Sequence, residues 1–136
     1  MISEKMQAAL NDQIREEMFS AYLYLAMSAD FESKNLGGFA SWMRNQAQEE
    51  MAHAMKFYNH ILDRGGEVKF QALDAPQQKW SSTLAAFEAA LEHEKHISAC
   101  IDNLAALARE LNDNAASIML DWFVDEQVEE EKTADE

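Results

Sequence analysis

Apolar residues recur along this chain at three- and four-residue spacing, in four stretches separated by short polar or glycine breaks. Ser3 can cap a first helix that continues to about Glu32, with Leu10, Ile14, Ala21 and Phe31 on one stripe. Residues 34–38 interrupt the pattern. A second helix is predicted from about Gly38 to Arg64, with Phe39, Met43, Phe57 and Ile61 on one face. Gly65 and Gly66 stop it, because glycine accepts the left-handed conformation just past a helix end. A third helix begins near Ser81 or Ser82 and runs to about Leu111, on a stripe of Phe87, Leu91, Ile101 and Ala108. Asn112, Asp113 and Asn114 supply a break and a cap. The fourth helix runs from Ala115 to near the end, with Leu120 and Phe123 inward.

The connections predict the topology. The first and third are only a few residues long, so each joins an antiparallel pair. The middle one, 65–80, is longer. A helix of ~28 residues spans ~42 Å, and sixteen extended residues reach about 50 Å. The expected fold is all-α: an antiparallel four-helix bundle, up-down-down-up, with one long crossover between helices two and three and a single domain over 1–136.

The stripes carry an anomaly. Written as heptads, they read Leu10, Glu17, Tyr24, Phe31, then Met43, Glu50, Phe57, then Phe87, Glu94, Ile101, Ala108, then Phe123, Glu130, with Leu120 and Gln127 one row over. Each helix therefore sets one carboxylate on its apolar face. His53 follows Glu50 by three residues and projects from the same side. Burying an unpaired carboxylate costs about several kcal/mol even after relaxation, and four together repel. No Lys or Arg occupies the central rows. Two divalent ions would neutralise Glu17, Glu50, Glu94 and Glu130. Oxygen donors with one imidazole suit iron or manganese, with zinc a competitor. Glu50 is the natural bridge, and two metals that share it can share electrons with one O2.

An echo at an offset of 77 positions supports a pseudo-two-fold centre: Glu17 lands on Glu94, Glu49 on Glu126, Glu50 on Gln127 and His53 on Glu130. The echo is imperfect where Gln127 and Glu130 replace a second Glu-x-x-His pair. The centre is thus expected to be asymmetric: Glu17, Glu50 and His53 hold one metal, while Glu50, Glu94 and Glu130 hold the other more weakly, with Gln127 offering a neutral oxygen. Such a labile second metal suits iron in transit. Glu49, Glu126 and Glu129 adjoin these ligands and suggest a third cation site, although an acidic run is also an ordinary solvated face. Tyr24 lies two turns after Glu17, where a phenol serves a ligand, donates an electron, or simply fills core. Trp122 is read as packing. His60, His93 and His96 show no convergence and are read as surface or core.

Composition narrows the classes. Hydrophobic residues are 48% of the 136, and 4 Gly and 1 Pro favour uninterrupted helices. A net charge of -14 argues against nucleic acid and anionic membranes and is compatible with cationic partners. No apolar run approaches the ~20 residues of a membrane span, and the N-terminus has no signal-peptide pattern. The single cysteine, Cys100, allows no internal disulfide and suits a reducing cytoplasm. Its spacing with Ile97, Ile101 and Leu104 reads as small core filler.

The motifs AQEEMAH (Ala47 to His53) and EQVEEEK (Glu126 to Lys132), with Glu17, Tyr24 and Glu94 at the expected intervals, resemble the non-haem bacterial ferritins over essentially the whole chain. Bacterioferritins look less similar, since they carry His where Glu130 stands. The resemblance implies an iron-storage ferroxidase that oxidises Fe(II) with O2 or H2O2 at two irons per subunit and passes Fe(III) to a mineral core. It also implies a homo-oligomeric cage of twenty-four subunits and a third iron site at Glu49, Glu126, Glu129 and Glu130. Met51 follows Glu50 where haem-bearing relatives place a ligand, but no haem is expected. Ferritin subunits normally extend the fourth helix and add a fifth, whereas this sequence stops at Glu136, which puts the four-fold pores in doubt. The rivals are another di-iron oxidase or peroxidase of rubrerythrin type, a shortened ferritin subunit with impaired cage assembly, and a metal-free helical interaction protein.

Overall fold

A computed structural model describes residues 1–135 and shows four helices: α1 (Glu4–Ser33), α2 (Gly37–Asp63), α3 (Thr83–Glu110) and α4 (Asn114–Asp135). No strand occurs among the described residues. The chain forms two compact units, Met1–Ala86 and Phe87–Glu136.

In the first unit, the Ser3 hydroxyl accepts a hydrogen bond from the Met6 amide at 3.1 Å and starts α1. The helix buries Leu10, Glu17, Tyr24 and Phe31 as the heptad predicts. Asn35 takes φ 60° at the tight connection into α2. There the Ser28 hydroxyl bridges the helices by donating to the Ala40 carbonyl at 2.7 Å. At the other end Gly65 adopts φ 75°, and the Gly66 amide returns to the Ile61 carbonyl at 2.8 Å, closing α2. The Ile2 amide then donates to the Arg64 carbonyl at 3.0 Å, so the start of α1 meets the end of α2 and the pair is antiparallel. Gly66 has a second reason to be glycine: a Cβ would sit 2.8 Å from Ile2 and Gln7 atoms.

The buried row of α2 is Ala40, Met43, Ala47, Glu50, His53, Ala54, Phe57 and Ile61. Phe39, expected inward, is 43% exposed. It lies at the helix end, where its ring leans on Phe31 with centroids 5.5 Å apart.

The crossover is laced along α1. The Asn11 amide nitrogen donates to the Glu67 carbonyl and its oxygen accepts from the Lys69 amide, at 3.0 and 2.9 Å. Gln71 next bonds Asp12 and Arg15. At the far end one Asp30 oxygen accepts from Lys34 Nζ at 2.8 Å and from the Trp80 amide at 3.2 Å, while Lys34 also donates to the Trp80 carbonyl at 2.7 Å. Lys34, with the Trp80 amide, holds the Asp30 carboxyl below its ordinary value. From Gln7 to Asp30, α1 rises roughly 35 Å. The crossover therefore travels the full helix length, as its reach predicts, and delivers the chain to Ser82, whose hydroxyl accepts from the Ala85 amide at the start of α3.

In the second unit α3 ends at Asn112, with φ 54°, and the Asp113 amide returns to the Ala108 carbonyl at 2.8 Å. Asp113 then caps α4 by accepting from the Ala116 amide at 3.0 Å. The short connection makes this pair antiparallel too. α3 buries Ala90, Glu94, Ile97, Ile101, Leu104 and Ala108. Phe87 and Leu91 are only half-buried, because the buried row runs one position to the N-terminal side of them. α4 buries Ala116, Leu120, Phe123, Gln127, Glu130 and Ala134.

Candidate metal centre

Each unit contains half of the predicted ligand set. In the first, α1 supplies Glu17 and α2 supplies Glu50 and His53. Both carboxylates are 0% exposed and His53 is 4% exposed. Their donor atoms all lie within 4.8 Å of one another. His53 Nδ1 faces Glu50 Oε2 at 3.2 Å and Glu17 Oε2 at 3.7 Å, so a single ring nitrogen sits between two carboxylates. The Gln13 amide holds the other Glu17 oxygen, donating to Oε1 at 3.1 Å. Glu17 Oε2 itself has no hydrogen-bond partner among the described residues. A buried carboxylate oxygen without a donor is costly, and it points at the same place as His53 Nδ1.

Burial alone drags the His53 imidazole down. Close contact with the Glu17 and Glu50 carboxylates outweighs it and pushes the pKa from 6.5 up to about 11. Without metal, then, the imidazolium is the only cation of the cluster at neutral pH. A metal bound to Nδ1 must displace that proton. The donor set of two carboxylates and one imidazole fits a hard or borderline divalent ion such as Fe(II).

The second half-site differs. Glu94 on α3 and Glu130 on α4 are 2% and 6% exposed and bring carboxylate oxygens within 4.8 Å of each other. Gln127 turns its amide nitrogen toward α3, donating to Glu94 Oε2, the Glu94 carbonyl and Ser98 Oγ, each at 3.2 Å. Ser98 in turn donates to Glu131 Oε2 at 2.6 Å. None of the three residues Glu94, Gln127 and Glu130 is itself an imidazole.

The remaining predicted residues are placed as follows. Tyr24 is 2% exposed, two turns along α1 from Glu17. Glu49 and Glu129 are exposed and Glu126 is half-buried. Trp122 is 40% exposed and stands edge-on to Phe123, with centroids 4.9 Å apart. Sequence reasoning missed Gln13 and Ser98. The signal for Gln13 was present, since it precedes Glu17 by one helical turn on the same face.

Two antiparallel helix pairs, each burying carboxylates on its apolar face, define a helical carboxylate-metal protein. Comparison with known proteins agrees. The ferritin-like domain family matches residues 7–136. A bacterial non-heme ferritin of Bacteroides fragilis is 47% identical over 134 residues, covering 98% of this chain and 84% of that protein. One from Staphylococcus aureus is 42% identical over 131 residues, covering 96% and 79%. Among solved structures, the open-pore ferritin of the hyperthermophilic archaeon Archaeoglobus fulgidus matches with a TM-score of 0.97 and 49% identity, covering 98% of this chain and 83% of that one. The chain belongs to the ferritin family, with the all-α ferritin-like fold, and its function is iron storage.

Proposed function

We propose that this ferritin oxidises the iron it stores. Two Fe(II) ions bind per subunit as substrate, one at Glu17, Glu50 and His53, the other at Glu50, Glu94 and Glu130, with Glu50 shared. The observation that carries the reading is the cluster of Glu17, Glu50 and His53, buried on two helices with donor atoms within 4.8 Å of one another. Family membership and the buried pair Glu94 and Glu130 support joining the two half-sites into one centre within a single domain over 1–136.

The chemistry follows from charge. Each Fe(II) gives up one electron, so two together reduce O2 to H2O2 with two protons, or H2O2 to water. Anionic oxygen donors favour the higher charge of Fe(III), which lowers the cost of oxidation. Gln127 acts as a positioning residue that holds Glu94, alongside any contribution of its neutral oxygen. Tyr24, buried two turns along α1, serves Glu17's side of the centre in this reading. Fe(III) then leaves toward a mineral core, with Glu49, Glu126, Glu129 and Glu130 as a third, surface-side iron site on the path. A cage of twenty-four copies and a cytoplasmic location complete the reading, with no haem required. No helix among the described residues is long and apolar enough to cross a membrane.

The test is anaerobic Fe(II) titration followed by O2. Two Fe(II) bound per chain, the second more weakly than the first, oxidised faster than free iron and with many more ions retained afterwards, is the expected outcome. Oxidation no faster than in buffer would sink the ferroxidase reading while leaving iron storage intact.

A further inference from the structure

The second unit carries another cluster of metal-binding side chains that the iron chemistry does not use. His93, His96 and Cys100 follow one another on α3 in the segment HEKHISAC. At 100° per residue they span only about 60° of the helix circumference, on a side that turns away from the buried row of Glu94, Ile97 and Ile101. Cys100 is not the core filler its neighbours suggest: it is half-exposed, and His96 is exposed.

Cys100 Sγ lies 3.7 Å from His96 Nε2. Zinc holds a thiolate sulfur at ~2.3 Å and an imidazole nitrogen at ~2.1 Å, so two such ligands at a tetrahedral angle stand about 3.6 Å apart. The pair already has the edge length of a tetrahedral chelate. The His93 ring lies on the same side, its centroid 5.9 Å from that of His96.

We propose that His96 and Cys100, with His93 completing the set, form a surface site for a thiolate-seeking divalent cation such as Zn²⁺. The site differs in kind from the buried centre. Its sulfur donor favours borderline and soft ions, while the oxygen-rich centre favours hard and borderline ones. Binding displaces the thiol proton, leaving a metal-bound thiolate, with water filling the fourth position. No electron transfer is involved. A chain that sorts metals this way keeps zinc off the carboxylates where it competes with iron.

Cobalt(II) is the probe, because only a cobalt–thiolate bond gives an intense near-ultraviolet charge-transfer band, and Cys100 is the only thiol in the chain. The iron-free full-length protein is titrated anaerobically with Co²⁺ in the presence of a phosphine reductant. The band is expected to saturate at one thiolate-bound cobalt per chain and to be bleached by Zn²⁺. Cys100→Ser should abolish it and leave Fe(II) oxidation unchanged. His96→Ala should weaken cobalt affinity at least tenfold, and His93→Ala less. Glu50→Ala should leave the band intact, since the buried centre has no sulfur. Absence of the band in the unsubstituted protein would show an S–H···N contact without metal affinity and overturn the proposal. So would unchanged affinity in His96→Ala, or saturation at half a cobalt per chain, which marks a thiolate shared between copies.

Discussion

The two half-sites occupy matching positions on their helix pairs and end up electrostatically unlike. In the first, His53 sits between Glu17 and Glu50 as a resident cation, its pKa raised to about 11. In the second, Glu94 and Glu130 come within 4.8 Å of each other, with the Gln127 amide donating to Glu94. One half stores a proton that a metal must displace. The other offers two carboxylates and a neutral donor. The lesson is that matching positions along a chain do not make matching sites: the substitution of a single histidine partner changes what each half exchanges for iron.

Removing the element proposed to be common to both halves has the largest expected effect. Glu50→Ala deletes the carboxylate that bonds His53 and that the proposed centre shares between irons. Initial Fe(II) oxidation, followed by stopped-flow absorbance, should fall by about 100-fold or more, since losing a mere hydrogen-bond partner of a ligand already costs about 10- to 100-fold. Equal initial rates for wild type and variant would refute Glu50 as the bridge, even if total iron uptake survived.

Proton release separates the halves next. Because Nδ1 is protonated across the neutral range, metal binding at Glu17, Glu50 and His53 should free one proton, and affinity should rise about tenfold per pH unit. Calorimetry of anaerobic Fe(II) binding in buffers of different ionisation enthalpy reads this directly. The second equivalent should show no imidazole contribution. The metal-free protein should respond in the opposite sense. The folded pKa lies above the ordinary 6.5, so the imidazolium's contribution to stability is complete below about pH 6.5 and is lost as pH climbs toward 11. Metal-free His53→Ala should lack that loss; a variant that unfolds along the same pH curve as wild type would falsify the linkage.

Much of this was legible beforehand, for identifiable reasons. Heptad spacing places Glu17 with Leu10, Tyr24 and Phe31 on one buried row, because a helix face is a strict function of residue number. Chain reach predicts the crossover's course along α1 for the same kind of reason. What stayed hidden depends on side-chain direction and on distant partners. Phe39 belongs to the right spacing but sits at a helix end, where the row no longer constrains it. Cys100 has apolar neighbours in sequence yet lies one step around the helix from the buried row. The clasp of Asp30, Lys34 and Trp80 joins residues 46 and 50 positions apart, and no local pattern encodes it. Gln127 was read for its oxygen, whereas its nitrogen contacts with Glu94 emerge only when α3 and α4 are placed together.

That nitrogen gives a finer test of the asymmetry. Gln127→Leu keeps roughly the same bulk and removes the donor to Glu94 and Ser98. Second-sphere losses of this kind cost 10- to 100-fold in metal affinity, and a neutral donor belongs near the lower end, so about tenfold is expected for the second Fe(II) only. Anaerobic titration resolves the two equivalents. Weakening confined to the first equivalent would mean that Gln127 serves the wrong half.

The smallest effect is expected furthest from the buried ligands. Glu129 is exposed on α4, one residue before Glu130, so a helix turns its side chain about 100° away from that ligand. Glu129→Ala should therefore leave the initial oxidation rate within about twofold, since surface substitutions of this kind perturb folding little. If Glu129 helps carry oxidised iron outward, the second and later rounds of Fe(II) addition should slow, because the centre clears less readily between rounds. Repeated-addition kinetics distinguish the two roles. A depressed first round would place Glu129 among the ligands, and unchanged kinetics in every round would reduce the acidic face of α4 to solvated surface.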